Sequence, residues 1–182
     1  TTIVFSKNTT KISEKAFYGC TNLTEINLPS QLEEIGAYAF SGCTGITTLE
    51  LPDTITTIGY RAFENCTGLV NVNYPMSWSV CSPLPEYSSS YYWNCGDIFA
   101  GCTSLTSIAV PEGITTIPDY AFSGFTYLQT VSLPSTLQTI GEYAFYNCTG
   151  FSSFAFPNNI KEIKRSAFEG CATLSTPNFP NE

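Results

Sequence analysis

The stretch that decides the fold is LTEINLPSQLEEIGAYAFSGC, residues 23–43, because variants of it recur along the whole chain. Proline keeps a matching spacing from Pro29 to Pro180. A fixed period of this length is typical of repeat proteins, in which each unit buries its apolar face only against its neighbours. The phenylalanine of the stretch returns at seven positions, in steps of 23, 23, 36, 23, 23 and 23: Phe17, Phe40, Phe63, Phe99, Phe122, Phe145 and Phe168.

Each part of the unit predicts a local structure. Within residues 23–28 the last two apolar residues alternate with polar ones, which is the period of a half-buried strand, and Pro29 ends that strand because it has no N–H to donate. The spacing of Leu32 and Ile35 indicates a short extended or turn segment on the other side of the coil. The apolar positions of residues 39–43 fall at i, i+1 and i+4, which favours one face of a single helical turn.

At the level of the repeat, the chain resembles the BspA-like leucine-rich repeats of bacterial and protozoan surface proteins. The shared pattern is L-x-x-I-x-L-P-x-x-h-x-x-I-G-x-x-A-F-x-x-C, where h is apolar, and it covers essentially all 182 residues. With the period, the resemblance predicts an α/β fold: a single right-handed leucine-rich solenoid, or horseshoe, of eight parallel strands and seven helical or 3₁₀ turns. It implies a parallel sheet on the concave face.

The resemblance also implies a location and a function. It indicates display on the cell surface or outside the cell, and adhesion or binding to a protein or glycan of a host or neighbouring cell. The alternative is a structural spacer or accessory module attached to a cell-surface or secreted enzyme. Residues 1–182 are predicted to be one array cut from a longer array or multi-module protein, because both ends fall inside a repeat and neither resembles a polar cap.

The composition argues against several classes of protein. The chain has 15 Asp and Glu against 7 Lys and Arg, a net charge of −8 and no histidine. Without histidine there is no Ser-His or Cys-His nucleophile and no His-ligated zinc, so we expect no enzyme, metal or cofactor. The few cations lie near the chain ends, which argues against binding nucleic acid. No apolar run is long enough to insert this segment in a membrane, and we expect a monomer.

Six of the eight cysteines occupy one position of the repeat. Phe125 stands at that position between Cys102 and Cys148, and a position that accepts phenylalanine is an apolar core position. We therefore expect free buried thiols rather than disulfides. A four-cysteine zinc site is disfavoured, because stacked coils place these residues in a line. The six are Cys20, Cys43, Cys66, Cys102, Cys148 and Cys171.

The other two cysteines flank an insertion. The 36-residue step equals one 23-residue period plus 13 residues, and removing residues 82–94 restores the spacing. Cys81 and Cys95 then stand at the neck of a loop, and we predict that they form a disulfide. Closing a loop of about 15 residues stabilises a fold by roughly 3 kcal/mol and requires an oxidising compartment.

The insertion is the first candidate binding site. Its aromatic residues are Tyr87, Tyr91, Tyr92 and Trp93, which are diluted by serine as in adaptable recognition surfaces. Such a surface would suit a sugar or an extended peptide. The rings would equally serve to cover a gap in the solenoid wall. Trp78, just before the insertion, falls in a core register.

The second candidate site is the predicted concave sheet. The residues on either side of each central strand residue should point outward, and the first half of this face is rich in acids and amides. The same pattern fits a merely solvated sheet. Two of its carboxylates would lie roughly 8 Å apart, a separation known from inverting glycosidases, but no cleft or third polar group accompanies them. The candidate binding residues are Glu25, Asn27, Glu50, Asn71 and Asn73.

Overall fold

The computed structural model describes residues 1–74 and 96–174. Within these ranges the chain forms a solenoid with two short strands in most coils, and every strand pairing is parallel. The first strand of each coil lies just before the repeated proline, or before Ser6 in the first coil. These strands hydrogen-bond in three separate parallel pairs, which we together call the front sheet. Its strands are β1 (Thr2–Val4), β3 (Glu25–Asn27), β5 (Thr48–Leu49), β7 (Asn71–Val72), β8 (Ser107–Ala109) and β10 (Thr130–Ser132).

The second strands lie on the back of the coils in two separate three-stranded groups, one before the insertion and one after it, which we together call the back sheet. The sequence predicted only an extended or turn segment here, and the structure resolves it into two-residue strands in which an inward isoleucine stacks on the isoleucine of the next coil. Ile12 pairs with Ile35, and Ile35 with Ile58. These strands are β2 (Lys11–Ile12), β4 (Glu34–Ile35), β6 (Thr57–Ile58), β9 (Thr116–Ile117), β11 (Thr139–Ile140) and β12 (Glu162–Ile163).

The third side of each coil is a tight turn, and the predicted helical turns are wrong. In the described ranges the chain has one helix, the 3₁₀ helix Gly96–Phe99. The physical reason is a pair of left-handed residues four positions apart, such as Tyr38 (φ 55°) and Gly42 (φ 76°), through which a right-handed helix cannot continue. The fold is therefore the predicted solenoid of parallel strands with a 23-residue period, with tight turns in place of regular helices.

The two left-handed positions are filled differently. The second takes glycine or asparagine, the residues that adopt this conformation most readily. The first takes bulky or polar residues, for which a positive φ is uncommon: Lys15, Tyr38, Arg61, Tyr120, Tyr143 and Ser166. The strain is compensated because the turns at 15–19, 38–42, 61–65, 120–124 and 143–147 hydrogen-bond to the next coil.

These turns form a third ladder between coils. The N–H of Phe40 donates to the carbonyl of Ala62 at 2.7 Å, and the N–H of Phe122 to that of Ala144 at 2.7 Å. The ladder also continues past the insertion, since the N–H of Phe63 donates to the carbonyl of Ile98 at 2.9 Å. Coils on either side of the insertion therefore stack directly.

The core is a set of side-chain rows that run from coil to coil. The phenylalanines of the repeat stack in parallel, and the rings of Phe40 and Phe63 lie 5.2 Å apart at 6°. Phe122 and Phe145 repeat this geometry at 5.0 Å and 13°. Phe40 and Phe63 are thus buried between the rings of the coils on either side, as the period predicted. Phe17 and Phe168, in the first and last coils of the row, are partly buried. Within the described residues, no helix is long or apolar enough to cross a membrane.

Candidate binding surfaces

The front face is the outward side of the front sheet, and its alternation is confirmed. In β3 and β8 the central isoleucine is buried while both neighbours are exposed. Strand β10 follows the same pattern, with a half-buried centre. The front face is therefore lined by short polar side chains. Its outward residues on these three strands are Glu25, Asn27, Ser107, Ala109, Thr130 and Ser132.

At one end of the front face a carboxylate is held by its neighbours. The hydroxyl of Thr2 donates to Glu25 at 3.1 Å across the strand pair, and the amide of Asn27 donates to the same carboxylate at 3.2 Å. All three side chains are exposed. The structure thus places the candidate binding residues Glu25 and Asn27 in contact. The two hydrogen bonds orient the carboxylate of Glu25.

Asn73 has a structural task that its residue type did not reveal. Its amide oxygen accepts the N–H of Leu51 at 2.7 Å, and its amide nitrogen donates to the carbonyl of Leu51 at 2.8 Å. The side chain therefore continues the hydrogen bonding between two coils beyond the end of β5 and β7. Both polar ends of this amide are used, so Asn73 contributes less to a binding surface than the sequence indicated.

The two remaining candidate residues of the front face, Glu50 and Asn71, are exposed. The ion pairs of the described residues form elsewhere, for example Lys11 with Glu34 at 2.8 Å and Arg61 with Glu64 at 2.7 Å. Neither Glu25 nor Glu50 has a cation partner within the described part of the chain. The front face therefore carries two carboxylates that no described cation neutralises.

The insertion cannot be compared with its prediction, because it lies outside the described residues. This holds for Tyr87, Tyr91, Tyr92, Trp93 and Trp78, and for the disulfide between Cys81 and Cys95. That disulfide stays a prediction. Among the residues that are described, no group of three or more Cys, Asp or Glu is placed to hold a metal ion.

The row of six cysteines consists of free thiols, and the expected burial holds for four of them. Each thiol after the first donates to a phenylalanine carbonyl of the preceding coil, as Cys66 does to Phe40 at 3.2 Å. Cys20 is exposed, contrary to the prediction, because it belongs to the first coil and no described coil covers it. Cys171 is half-buried.

Burial makes the covered thiols unreactive. It raises the pKa of Cys43 to about 12 and also raises the pKa of Cys148. The neighbouring thiol of Cys102 and burial raise the pKa of Cys66 too. Because the thiolate is the nucleophile, these side chains should not react while the protein is folded.

We expect iodoacetamide to modify Cys20 first in the native protein. Cys43, Cys66 and Cys148 should stay unmodified until denaturant is added, because their thiols are covered and protonated. Peptide mass spectrometry after timed alkylation measures the order. Equal modification rates for Cys20 and Cys66 would show that the coils do not pack as described.

A row of tyrosines on the turn side was not singled out from the sequence. The rings of Tyr120 and Tyr143 stack at 5.1 Å and 9°, and Tyr143 meets Tyr146 edge-on at 5.7 Å. Burial, followed by the neighbouring Tyr143, raises the pKa of Tyr120. The signal was present in the sequence, since Tyr120 and Tyr143 are 23 residues apart and Tyr38 holds the same position. It was obscured because the other coils have lysine, arginine, aspartate or serine there.

The chain is similar in structure to several bacterial proteins. A leucine-rich repeat protein from Eubacterium ventriosum ATCC 27560 matches with a TM-score of 0.61 and 28% identity, over 93% of this chain and 42% of that one. The T. pallidum leucine-rich repeat protein TpLRR matches with a TM-score of 0.51 and 27% identity, over 82% of this chain and 77% of that one. The chain thus spans less than half the length of the Eubacterium protein. No curated protein matches it.

A protein-family model matches the same part of the chain as the 23-residue repeat. The model of the BspA type leucine-rich repeat region matches in six copies, over residues 1–98 and 95–182. The left-handed turns, the parallel ladders and the stacked phenylalanines are the structural form that the repeat takes here. The chain belongs to the BspA-type leucine-rich repeat family.

Proposed function

We propose that this chain is a non-catalytic binding module of the bacterial cell surface, which docks a partner protein on its front face. The observation that carries the proposal is a pair of carboxylates, Glu25 and Glu50, that no cation of the described residues neutralises, on a sheet face of short side chains. The family supports the location, because its repeats resemble those of surface proteins. Repeat proteins present extended surfaces that suit docking of another protein.

The partner surface that fits this face is basic. Glu25 is already oriented by Thr2 and Asn27, so little side-chain freedom is lost when a cation meets it. Charge complementarity of this kind raises the association rate, and salt weakens it because exposed charges are screened. Binding that depends on the front face should therefore weaken as ionic strength rises.

Charge reversal tests the proposal. The double variant Glu25→Lys/Glu50→Lys should bind at least tenfold more weakly to whichever partner is found by screening the purified chain against extracellular matrix proteins by surface plasmon resonance. A tenfold loss corresponds to about 1.4 kcal/mol. The matched control is Glu33→Lys/Glu169→Lys, which makes the same charge change at two exposed positions away from the front face.

Three results would contradict the proposal. Equal losses in both double variants would mean that net charge, and not the front face, controls binding. Binding that persists in both would move the partner to another surface, such as the residue 82–94 insertion. No saturable binding at high micromolar concentration would favour the alternative function, a spacer that holds another module away from the cell.

A further inference from the structure

We propose that a groove beside the front sheet is a binding site for a sugar ring. This site is distinct from the front face that is proposed to dock a protein. The groove has a volume of about 610 Å³, within the roughly 300–1,000 Å³ typical of small-molecule sites. It forms where three successive proline turns step along the solenoid, at Glu112, Ser135 and Asn158, which are 23 residues apart.

The floor of the groove is apolar. It consists of Leu133, Phe156 and Pro157, all of which remain partly exposed. The residue before the proline is covered in the two preceding described coils, where Tyr74 and Val110 are each only 5% exposed, while Leu28 in an earlier coil is half-buried. Within the described residues, the opening at Leu133 and Phe156 therefore distinguishes this end from the middle of the solenoid.

The ring of Phe156 packs against the rings of Phe154 and Phe168. Its centroid lies 4.9 Å from that of Phe154 and 5.6 Å from that of Phe168, which meets it edge-on. An aromatic ring fixed in this way offers a rigid apolar surface. One face of a pyranose carries mainly C–H groups and packs on such a surface at little entropic cost.

The rim of the groove is polar and pre-oriented. The carboxylate of Glu112 accepts the N–H of Ser135 at 3.0 Å and its hydroxyl at 3.1 Å. The side-chain amide of Asn159 donates to the carbonyl of Ser135 at 2.7 Å, and Asn158 is exposed beside it. Four polar side chains thus surround an apolar floor, which is the arrangement that orients a ligand with several hydroxyl groups.

The chemistry of the rim favours a sugar over a cationic side chain. Each oxygen of Glu112 accepts a hydrogen bond from Ser135, so the carboxylate is held beside an apolar floor that a sugar ring can cover and an ammonium group cannot. These hydrogen bonds, led by the one from the Ser135 backbone, also lower the pKa of Glu112 and keep it an acceptor. The remaining rim groups are neutral amides and a hydroxyl, which exchange hydrogen bonds with sugar hydroxyls in either direction.

Saturation-transfer NMR tests the assignment with glucose, galactose, mannose and N-acetylglucosamine at millimolar concentration. At least one of these should give a saturable signal on the intact chain. The variant Glu112→Ala/Asn158→Ala should weaken its binding at least tenfold, because two rim hydrogen bonds are lost. Both residues are exposed, so the fold should persist, as circular dichroism would verify.

The matched control is Asp53→Ala, which changes the exposed acid that follows a repeated proline in another coil. It should leave sugar binding unchanged. No saturable signal from any of the four sugars, or equal affinity in the groove variant and the intact chain, would overturn the assignment. The groove variant should leave protein binding at the front face intact, so failure of this inference is distinguishable from failure of the proposed function.

Discussion

Replacing Phe63 with alanine should lower the free energy of unfolding by about 3–5 kcal/mol. The side chain is fully buried, and its ring stacks between those of Phe40 at 5.2 Å and Phe99 at 5.4 Å. Truncation leaves a cavity and removes the ring contacts with both neighbouring coils at once. In a solenoid, the stability of each coil depends on its neighbours, so the loss cannot be made up elsewhere.

Phe17→Ala is the matched control for this prediction. Phe17 belongs to the same row but lies in the first coil, where it is only partly buried and stacks on one repeat phenylalanine, Phe40, at 5.1 Å. Its truncation should cost clearly less than that of Phe63. Urea unfolding followed by circular dichroism measures both values. Equal losses would contradict the stacking of the row.

Gly59→Ala should have the second largest effect, a loss of about 3 kcal/mol, at the upper end of the usual cost of over-packing. A Cβ atom there would lie 2.4 Å from the backbone nitrogen of Ala37 and 2.7 Å from the carbonyl carbon of Gly36. Both contacts are with the backbone of the preceding coil, which can move away only by breaking the ladders that hold it. Thermal unfolding of the variant measures the loss.

Gly19→Ala separates this clash from backbone strain. Gly19 has a φ of +71°, yet a Cβ atom there would meet nothing within 4 Å. Its replacement should cost about 1–2 kcal/mol, from the left-handed conformation alone. If Gly59→Ala proved as mild as Gly19→Ala, the coils would have room to separate, and the close approach at Gly59 would not be a constraint of the fold.

The period of the sequence predicted the architecture because stacking repeats one environment many times. Any residue type that returns every 23 positions in an apolar slot, such as Phe40 and Phe63, must lie in the same row. The strand before each proline followed from alternation for the same reason. The family follows from the same repeated pattern.

The turns were predicted wrongly because apolar spacing does not report backbone handedness. Ala39, Phe40 and Cys43 fit one face of a helical turn as well as they fit the observed turn. The deciding feature is the positive φ of Tyr38, and tyrosine gives no sign of that conformation. The ladder from each turn to the next coil selects it.

The candidate sites were harder to predict than the fold, because an exposed polar side chain can either bind a partner or form hydrogen bonds that hold the fold together. Asn73 was selected as a binding residue by its type and face, yet its amide replaces a missing backbone contact. Cys20 was assigned to the core by its position, but a first coil has a neighbour on one side only. The groove at Phe156 depends on how deeply one side chain packs, which the repeat pattern does not contain.

The direction of the three ladders determines how the chain would respond to mechanical force. Their hydrogen bonds join each coil to the next, as from Phe40 to Ala62, so a pull on the two ends loads every junction in series. The weakest junction then separates first and the others follow. Each freed coil of 23 residues would lengthen the tether by about 75–80 Å. Single-molecule stretching should therefore give a staircase of evenly spaced extensions with one step that is longer by about 45 Å, from the coil that carries the 13-residue insertion. A single rupture would show that the coils fail together.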